Sequence, residues 1–387
     1  MKKIARFVGL DVHADTIAVA VAEADGGEVR SLGVVPNRPE CVQRLIRKTL
    51  KLTPEASKSA AVCYEAGPCG YVLYWQLVGL GVECMVVAPT LIPVKAGDRV
   101  KTDRRDAEKL ARLFRAGELT AAWVPDAEHE ALRDLVRARE AAKKDQLRAR
   151  HRLQKFLLRR GQRPPTDVKP WTQRHLQWAK ALRMPHPAQE EVRLDYVNEV
   201  EHAVARIERL EKAIDEAIAR APAQIQAVVH ALQALRGIKR ISAATIAAEA
   251  GSISRFERPK QLMGYAGITS AEDSSGTRIH RGAITKAGNS HLRRIVGEAA
   301  WAYRHCPGLS KDLRKRQEGL SPEICEIAMK AQHRLHKRYA HLMAKGKEKQ
   351  KVVTAIGREL LGFVWDIGRR AEAEVAEKAS RTKNTTM

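Results

Sequence analysis

The chain has 387 residues, enough for two or three domains at roughly 100–200 residues each. Hydrophobic residues make up 44% of it, while Lys and Arg number 69 against 45 Asp and Glu, a net charge of +24. That imbalance favours a long anionic partner, since each neutralised phosphate releases a counterion, and no apolar run reaches the ~20 residues of a membrane span. The N-terminus has basic residues but no signal-type apolar stretch. The six cysteines form no CxxC pair and no zinc-type spacing. A reduced cytoplasmic protein is expected, with most of the thiols buried as structural residues.

In chain order, "IARFVGLDVH" predicts a short apolar strand ending near Asp11. "TIAVAVAEADGG" predicts a second strand closing on a turn at Asp25-Gly26-Gly27, and "EVRSLGVVPN" a third. "RPECVQRLIRKTL" has helical spacing at Cys41, Leu45, Ile46 and Leu50. "SAAVCYEAGP" reads as a buried strand stopping at Glu65, followed by the helix "CGYVLYWQLVGLG" with a Gly stop and the strand "VECMVVAP". A loop through Pro93 and Gly97 leads to a helix from about Thr102 to Ala116. Three strands, helix, strand, helix, strand, helix over 4–122 is the order of a ribonuclease-H-like α/β domain. That shape hosts metal-dependent nucleases.

Residues 127–222 read as a helical middle. One long basic helix, a Pro-punctuated connector with Trp171 and Trp178, and a second long helix follow one another. In the second helix Leu194, Val197, Val200, Val204, Ile207, Leu210, Ile214 and Ile218 recur at steps of three and four, which suits a coiled coil; a hairpin folded on itself is the competing reading. Residues 226–370 form a mostly helical third unit. In it "ALRGIKRISAATIAAEAG" reads as helix, Gly237 turn, helix. This is similar to a helix-hairpin-helix, whose turn amides hold a phosphate; an ordinary αα-hairpin competes. Residues 371–387 lack large apolar side chains and are expected to be a disordered tail.

A ribonuclease-H-like nuclease holds divalent ions on carboxylates at strand ends and on the helix crossing them. Asp11 ends the first strand, Glu65 ends the fourth, and Asp103 and Asp106 share a face in the first turn of the last helix. Such clustered carboxylates repel one another unless a cation sits among them. Oxygen ligands of this kind select Mg²⁺ or Mn²⁺ over Zn²⁺. Each acid alone has a plainer reading, as a turn residue or as a helix-start acid after Thr102. Asp15 reads as a turn residue, Asp98 as a loop residue and Glu108 as solvated. Further on, "YAGITSAEDSSGTRIHRGAITKAGNSHLRR" sets Ser274, Ser275 and Gly276 among Arg278, His280, Arg281, Lys286, Arg293 and Arg294. On residue types alone the cations point to phosphate contact and the serines to a loop.

Together, "GLDVHADTIAVAV", "YEAGPCGYVLYWQL", "KTDRRDAEKLARL" and "YAGITSAEDSSGTRIHRGAITKAGNSHLRRIVGEAAW" resemble the DEDD transposases of the bacterial insertion sequence 110 family, including the 1111 subgroup and Piv-type invertases. The resemblance covers roughly residues 5–305. It implies a RuvC-like domain with the acids Asp11, Glu65, Asp103 and Asp106 holding Mg²⁺, or Mn²⁺. It implies a nucleophilic serine before the second domain's glycine, Ser275 rather than Ser274, that forms a covalent phosphoserine with DNA. It further implies a guide RNA and a homo-oligomer, dimer or tetramer, with a composite site. Lys101, Arg104, Arg105, Arg278, Arg281, Lys286, Arg293 and Arg294 are the expected nucleic-acid contacts, with the helix around Arg133–Arg160 and the segment Lys311–Lys351 as broader basic surfaces. The chain departs from the family at Arg236-Gly237-Ile238-Lys239, where Pro-Gly-Ile-Gly is common, and at Ser270, where Pro is frequent. A resolvase-like nuclease activating water and a non-catalytic nucleic-acid-binding protein are the alternatives.

Overall fold

The computed structural model describes residues 4–49, 60–94 and 101–385; Leu50, Gly97 and Asp98 lie outside them. The chain divides into two compact units, 1–124 and 125–387.

The first unit is built on a five-stranded sheet of β1 (Arg6–Val12), β2 (Thr16–Glu23), β3 (Arg30–Pro36), β4 (Ala60–Glu65) and β5 (Glu83–Val87). The order is β3-β2-β1-β4-β5. The first three strands form an antiparallel meander, and β4 and β5 join in parallel. Alternation along the strands gives the sheet two different faces. Val8, Leu10, Val19, Val21, Val62 and Tyr64 pack on one face with Val42 of α1 (Pro39–Arg44) and with Leu73 and Leu77 of α2 (Val72–Gly79). The opposite face is made of small residues. Ala18, Ala20, Ala22, Ala61 and Cys63 meet Ala107, Leu110, Ala111 and Phe114 of α3 (Asp103–Arg115). The expected succession of strands and helices is observed, and Thr102 caps α3 by accepting a hydrogen bond from the Arg105 amide.

In the second unit, α4 (Ala127–Arg159) and α6 (Pro187–Arg220) run antiparallel. Their salt bridges fix the direction: Arg139 meets Glu211 at 2.6 Å, Asp145 meets Arg206 at 2.8 Å, and Arg152 meets Glu199 at 2.9 Å. The long helices therefore pair within one chain. Val197, Val200, Ile207 and Ile214 are buried along α6, whereas Leu194 is exposed. The connector contains a helix that its prolines obscured, α5 (Gln173–Ala181). Its C-terminal end is held by buried Arg193, which donates to the Ala179 and Lys180 carbonyls and pairs with Glu190.

The main core of this unit draws on α7 (Ala223–Leu232), α8 (Arg240–Ala250), α9 (Pro259–Tyr265), α10 (Ser290–Ala300), α12 (Pro322–Ala344) and α13 (Lys349–Thr385); α11 (Lys311–Gln317) precedes α12. The Gly237 turn leads into α8, and Arg236 beside it donates to the His305, Cys306 and Gly308 carbonyls. A two-stranded hairpin, β6 (Ser270–Glu272) and β7 (Arg281–Ile284), stands between α9 and α10. The expected disordered tail at 371–387 needs correction, because α13 continues to Thr385. Ala371 is buried, and the Glu372 carboxylate accepts hydrogen bonds from the Ile253 and Ser254 amides. The thiol expectation also changes: Cys63 is buried, Cys306 is exposed, and the other four are intermediate. No described helix is long and apolar enough to cross a membrane.

Candidate active site

The acids of the first unit are positioned by the small-residue face of the sheet. α3 lies directly over Gly9: a Cβ added there would sit 2.4 Å from both the Ala107 carbonyl oxygen and the Ala111 nitrogen. Asp11, two residues further along β1, shares the face of Gly9 and emerges near the start of α3. The result is a close group. The Nε2 atom of His13 lies 3.3 Å from Asp11 Oδ2 and 3.5 Å from Asp103 Oδ1. One donor atom from each of the three residues falls within 4.8 Å of the others. Burial pushes the Asp11 carboxyl above the usual carboxylate range, His13 pulls it back, and Asp106 and Asp103 push it up again.

The four expected acids are thus not all in one cluster. Asp11 and Asp103 are brought together, and Asp106 acts on Asp11 through its charge. Glu65 ends β4 on the same sheet face, following Tyr64, the β4 partner of Leu10, yet it and Asp106 fall outside the close group. His13 was not expected. Its signal in the sequence was its position two residues after Asp11, which returns it to the same face of an extended chain. Two carboxylates and an imidazole are suitable donors for a divalent cation, and the mutual repulsion felt at Asp11 is what such a cation would relieve. Lys101, Arg104 and Arg105 are exposed beside them, Arg104 also pairing with Glu108 at 2.8 Å.

The serines lie at the tip of the β6–β7 hairpin. Ser275 and Arg278 exchange both backbone hydrogen bonds at 3.1 Å around Gly276, whose φ is +57°. Ser274 is tied down: its hydroxyl donates to Glu272 at 3.0 Å and accepts from the His280 amide at 3.3 Å. Ser275 is exposed, and its hydroxyl has no hydrogen-bond partner among the described residues. At the hairpin base Gly267 has φ +62° and would, with a Cβ, collide with the Ala287 carbonyl at 2.2 Å. Only a residue without a side chain allows the two chain passes to cross there.

The expected nucleic-acid contacts separate into two groups. Arg278, Arg281 and Lys286 are exposed on or next to the hairpin, Arg281 standing 3.7 Å from Glu272. Arg293 donates to the Ala266 carbonyl, and Arg294 bridges Glu140 and Glu298, so both take part in internal packing. Much of the basic charge on α4 is likewise used inside the chain. Arg137 clamps buried Glu249, and Arg139 and Arg152 pair with α6.

A mixed α/β unit carrying a carboxylate–imidazole group, followed by a helical unit with a basic serine hairpin, suits a nucleic-acid-processing enzyme. Comparison with known proteins makes this specific. Residues 8–160 match the DEDD_Tnp_IS110 transposase family, and residues 229–314 match the transposase family IS116/IS110/IS902. A Sinorhizobium fredii protein carrying the name transposase y4qE is 46% identical over 366 residues, covering 94% of this chain and 89% of its own. The transposase for insertion sequence element IS1533 of Leptospira borgpetersenii is 31% identical over 350 residues, covering 88% and 98%. The transposase for insertion sequence element IS1111A of Coxiella burnetii is 23% identical over 277 residues, covering 67% and 70%. The chain belongs to the IS110 family of transposases and is a DNA transposase, an enzyme of a family that uses divalent metal.

Proposed function

We propose that this transposase excises and inserts its element by metal-assisted serine attack on a DNA phosphodiester. The single observation that carries the reading is the contrast at the hairpin tip: Ser274 is hydrogen-bonded on both sides, whereas Ser275, next to Gly276, offers an exposed hydroxyl among cationic side chains. In the proposed step Ser275 Oγ bonds to phosphorus and the phosphodiester bond to one sugar oxygen breaks. The serine proton ends on that sugar oxygen, which leaves as a free strand hydroxyl. The phosphoserine conserves the bond, so reversing the step reseals a new strand without an external energy source.

Asp11, Glu65, Asp103 and Asp106 are the proposed acids of a RuvC-like domain. A divalent cation bound there, Mg²⁺ or Mn²⁺, would supply Lewis-acid stabilisation of charge on the phosphoryl oxygens. Arg278, Arg281 and Lys286 orient the DNA backbone at the serine, while Lys101, Arg104 and Arg105 do so near the acids. The remaining parts of the reading are a helical middle whose two long helices pair within the chain as an antiparallel coiled coil, a helix-hairpin-helix-like Gly237 turn, a homo-oligomer with a composite site, a guide RNA that reads the DNA by base pairing, and action in the bacterial cytoplasm. A denaturing gel tests the central step. Incubation with guide RNA, divalent metal and element-end DNA should give a protein–DNA adduct that Ser275→Ala and Asp106→Ala both abolish. Cleavage that proceeds without any adduct would transfer the chemistry to activated water.

A further inference from the structure

The proposed acids are oxygen donors, but the group that the fold brings together includes a nitrogen. We infer that His13 is a ligand of the metal in this site and that its imidazole biases the site from Mg²⁺ toward Mn²⁺. The inference rests on the metal cradle proposed above and adds a residue to it.

His13 is held where a ligand is needed. It begins the short turn between β1 and β2, and its amide donates to the Thr16 carbonyl at 2.8 Å. Its own carbonyl accepts from Asn37 Nδ2 at 2.8 Å, and the Asn37 amide in turn donates to Asp15 at 2.8 Å. The backbone is therefore fixed from two sides, and the ring projects back over the end of β1. Its Nε2 faces Asp11 at 3.3 Å and Asp103 at 3.5 Å. Donors ~2.1 Å from an octahedral ion stand ~3 Å apart when adjacent, so small movements of three side chains would bring all of them onto one ion. The half-exposed setting of the ring leaves room for that movement and for the substrate oxygens that complete the shell. A site of carboxylates and water serves Mg²⁺ and Mn²⁺ alike, whereas an imidazole nitrogen adds affinity for a transition ion such as Mn²⁺ more than for the harder Mg²⁺.

The test uses the full-length chain and Mn²⁺ alone as the probe. Binding is followed by the electron paramagnetic resonance signal of free Mn²⁺, with Mg²⁺ as competitor, and pulsed measurements read nitrogen-14 coupling to the bound ion. Wild-type protein should show imidazole nitrogen coupling. His13→Ala should lose it and lose about tenfold or more in Mn²⁺ affinity, with a smaller change for Mg²⁺. His13→Gln, which better preserves the size of the side chain, should behave in the same way and guards against a folding defect. Bound Mn²⁺ without nitrogen coupling, with affinity lost in Asp11→Asn but not in His13→Ala, would overturn the role of His13 and leave the cradle standing. Mn²⁺ affinity unchanged in both Asp11→Asn and Asp103→Asn would overturn the cradle and this inference with it.

Discussion

Glu249 and Asn289 share a hydrogen bond of 2.7 Å that ties a wholly buried carboxylate to the cap of α10. The same carboxylate takes two hydrogen bonds from Arg137, at 2.7 and 2.9 Å, and lies 3.7 Å from Arg133. Burial alone would raise the Glu249 pKa, but Arg137 and Asn289, together with the charge of Arg133, hold it below its usual range. Asn289 also accepts from the Leu292 amide, and its own amide donates to Tyr265, so the network anchors the chain that returns from the serine hairpin.

Glu249→Ala is accordingly expected to be severe. It removes the carboxylate that Arg137 and buried Arg133 share and frees the α10 cap; breaking a fully buried pair costs about 3–5 kcal/mol, and the partial exposure of Arg137 places the expected loss at the low end. Urea unfolding at neutral pH measures it. A loss below ~1 kcal/mol would show that water replaces the carboxylate without penalty.

Gly9→Ala tests how closely α3 must approach the sheet. Its new Cβ would meet backbone atoms of Ala107 and Ala111, which cannot swing aside as a side chain can. The expected result is destabilisation of ~1–3 kcal/mol, together with weaker metal binding as Asp103 is displaced from Asp11. Thermal unfolding and metal titration of the same sample check both parts.

Acid sensitivity should be concentrated in part at Glu140. Burial opposes its ionisation, but Lys144, His291 and Arg294 hold its carboxyl down at about 2, against an ordinary value of 4.5. A depressed carboxylate gives stability that is complete above its unfolded value and is lost as pH falls through the folded one. The part of the stability difference between wild type and Glu140→Gln that depends on the ionised carboxylate should therefore shrink as pH falls between about 4.5 and 2. Denaturant midpoints across that range provide the measurement.

The two serines should separate cleanly. Ser274→Ala removes a hydroxyl that braces the hairpin, at a cost near ~1 kcal/mol, and should slow adduct formation about fivefold. Ser275→Ala should abolish it. Time courses of adduct formation for the two variants make the comparison.

Much of the first unit was legible because its elements are coded locally. The Thr102 cap and the apolar face of α3 lie within one short segment, and the short apolar runs of β1 and β4, each closing on an acid, gave away Asp11 and Glu65 as strand-end acids. Long-range packing was not legible. The partners of Glu249 stand 112 and 40 residues away in an otherwise alanine-rich helix, so it reads as an ordinary helical glutamate. The packing of the tail is invisible locally because it depends on Glu372 meeting Ile253, 119 residues earlier. His13 was missed for a related reason: Asn37, 24 residues later, helps to hold its turn. The internal pairing of α4 was not legible either, since charge counts do not show which arginines find a carboxylate inside the chain.

The most direct measurement of the central claim is the chemical identity of the amino acid joined to DNA. Wild-type protein would be trapped on element-end DNA with guide RNA and divalent metal, digested with nuclease and protease, and its peptides sequenced by mass spectrometry. The account predicts a nucleotide remnant on Ser275 and on no other residue. A remnant on Ser274 or another side chain, or efficient strand cleavage with no modified peptide, would contradict it.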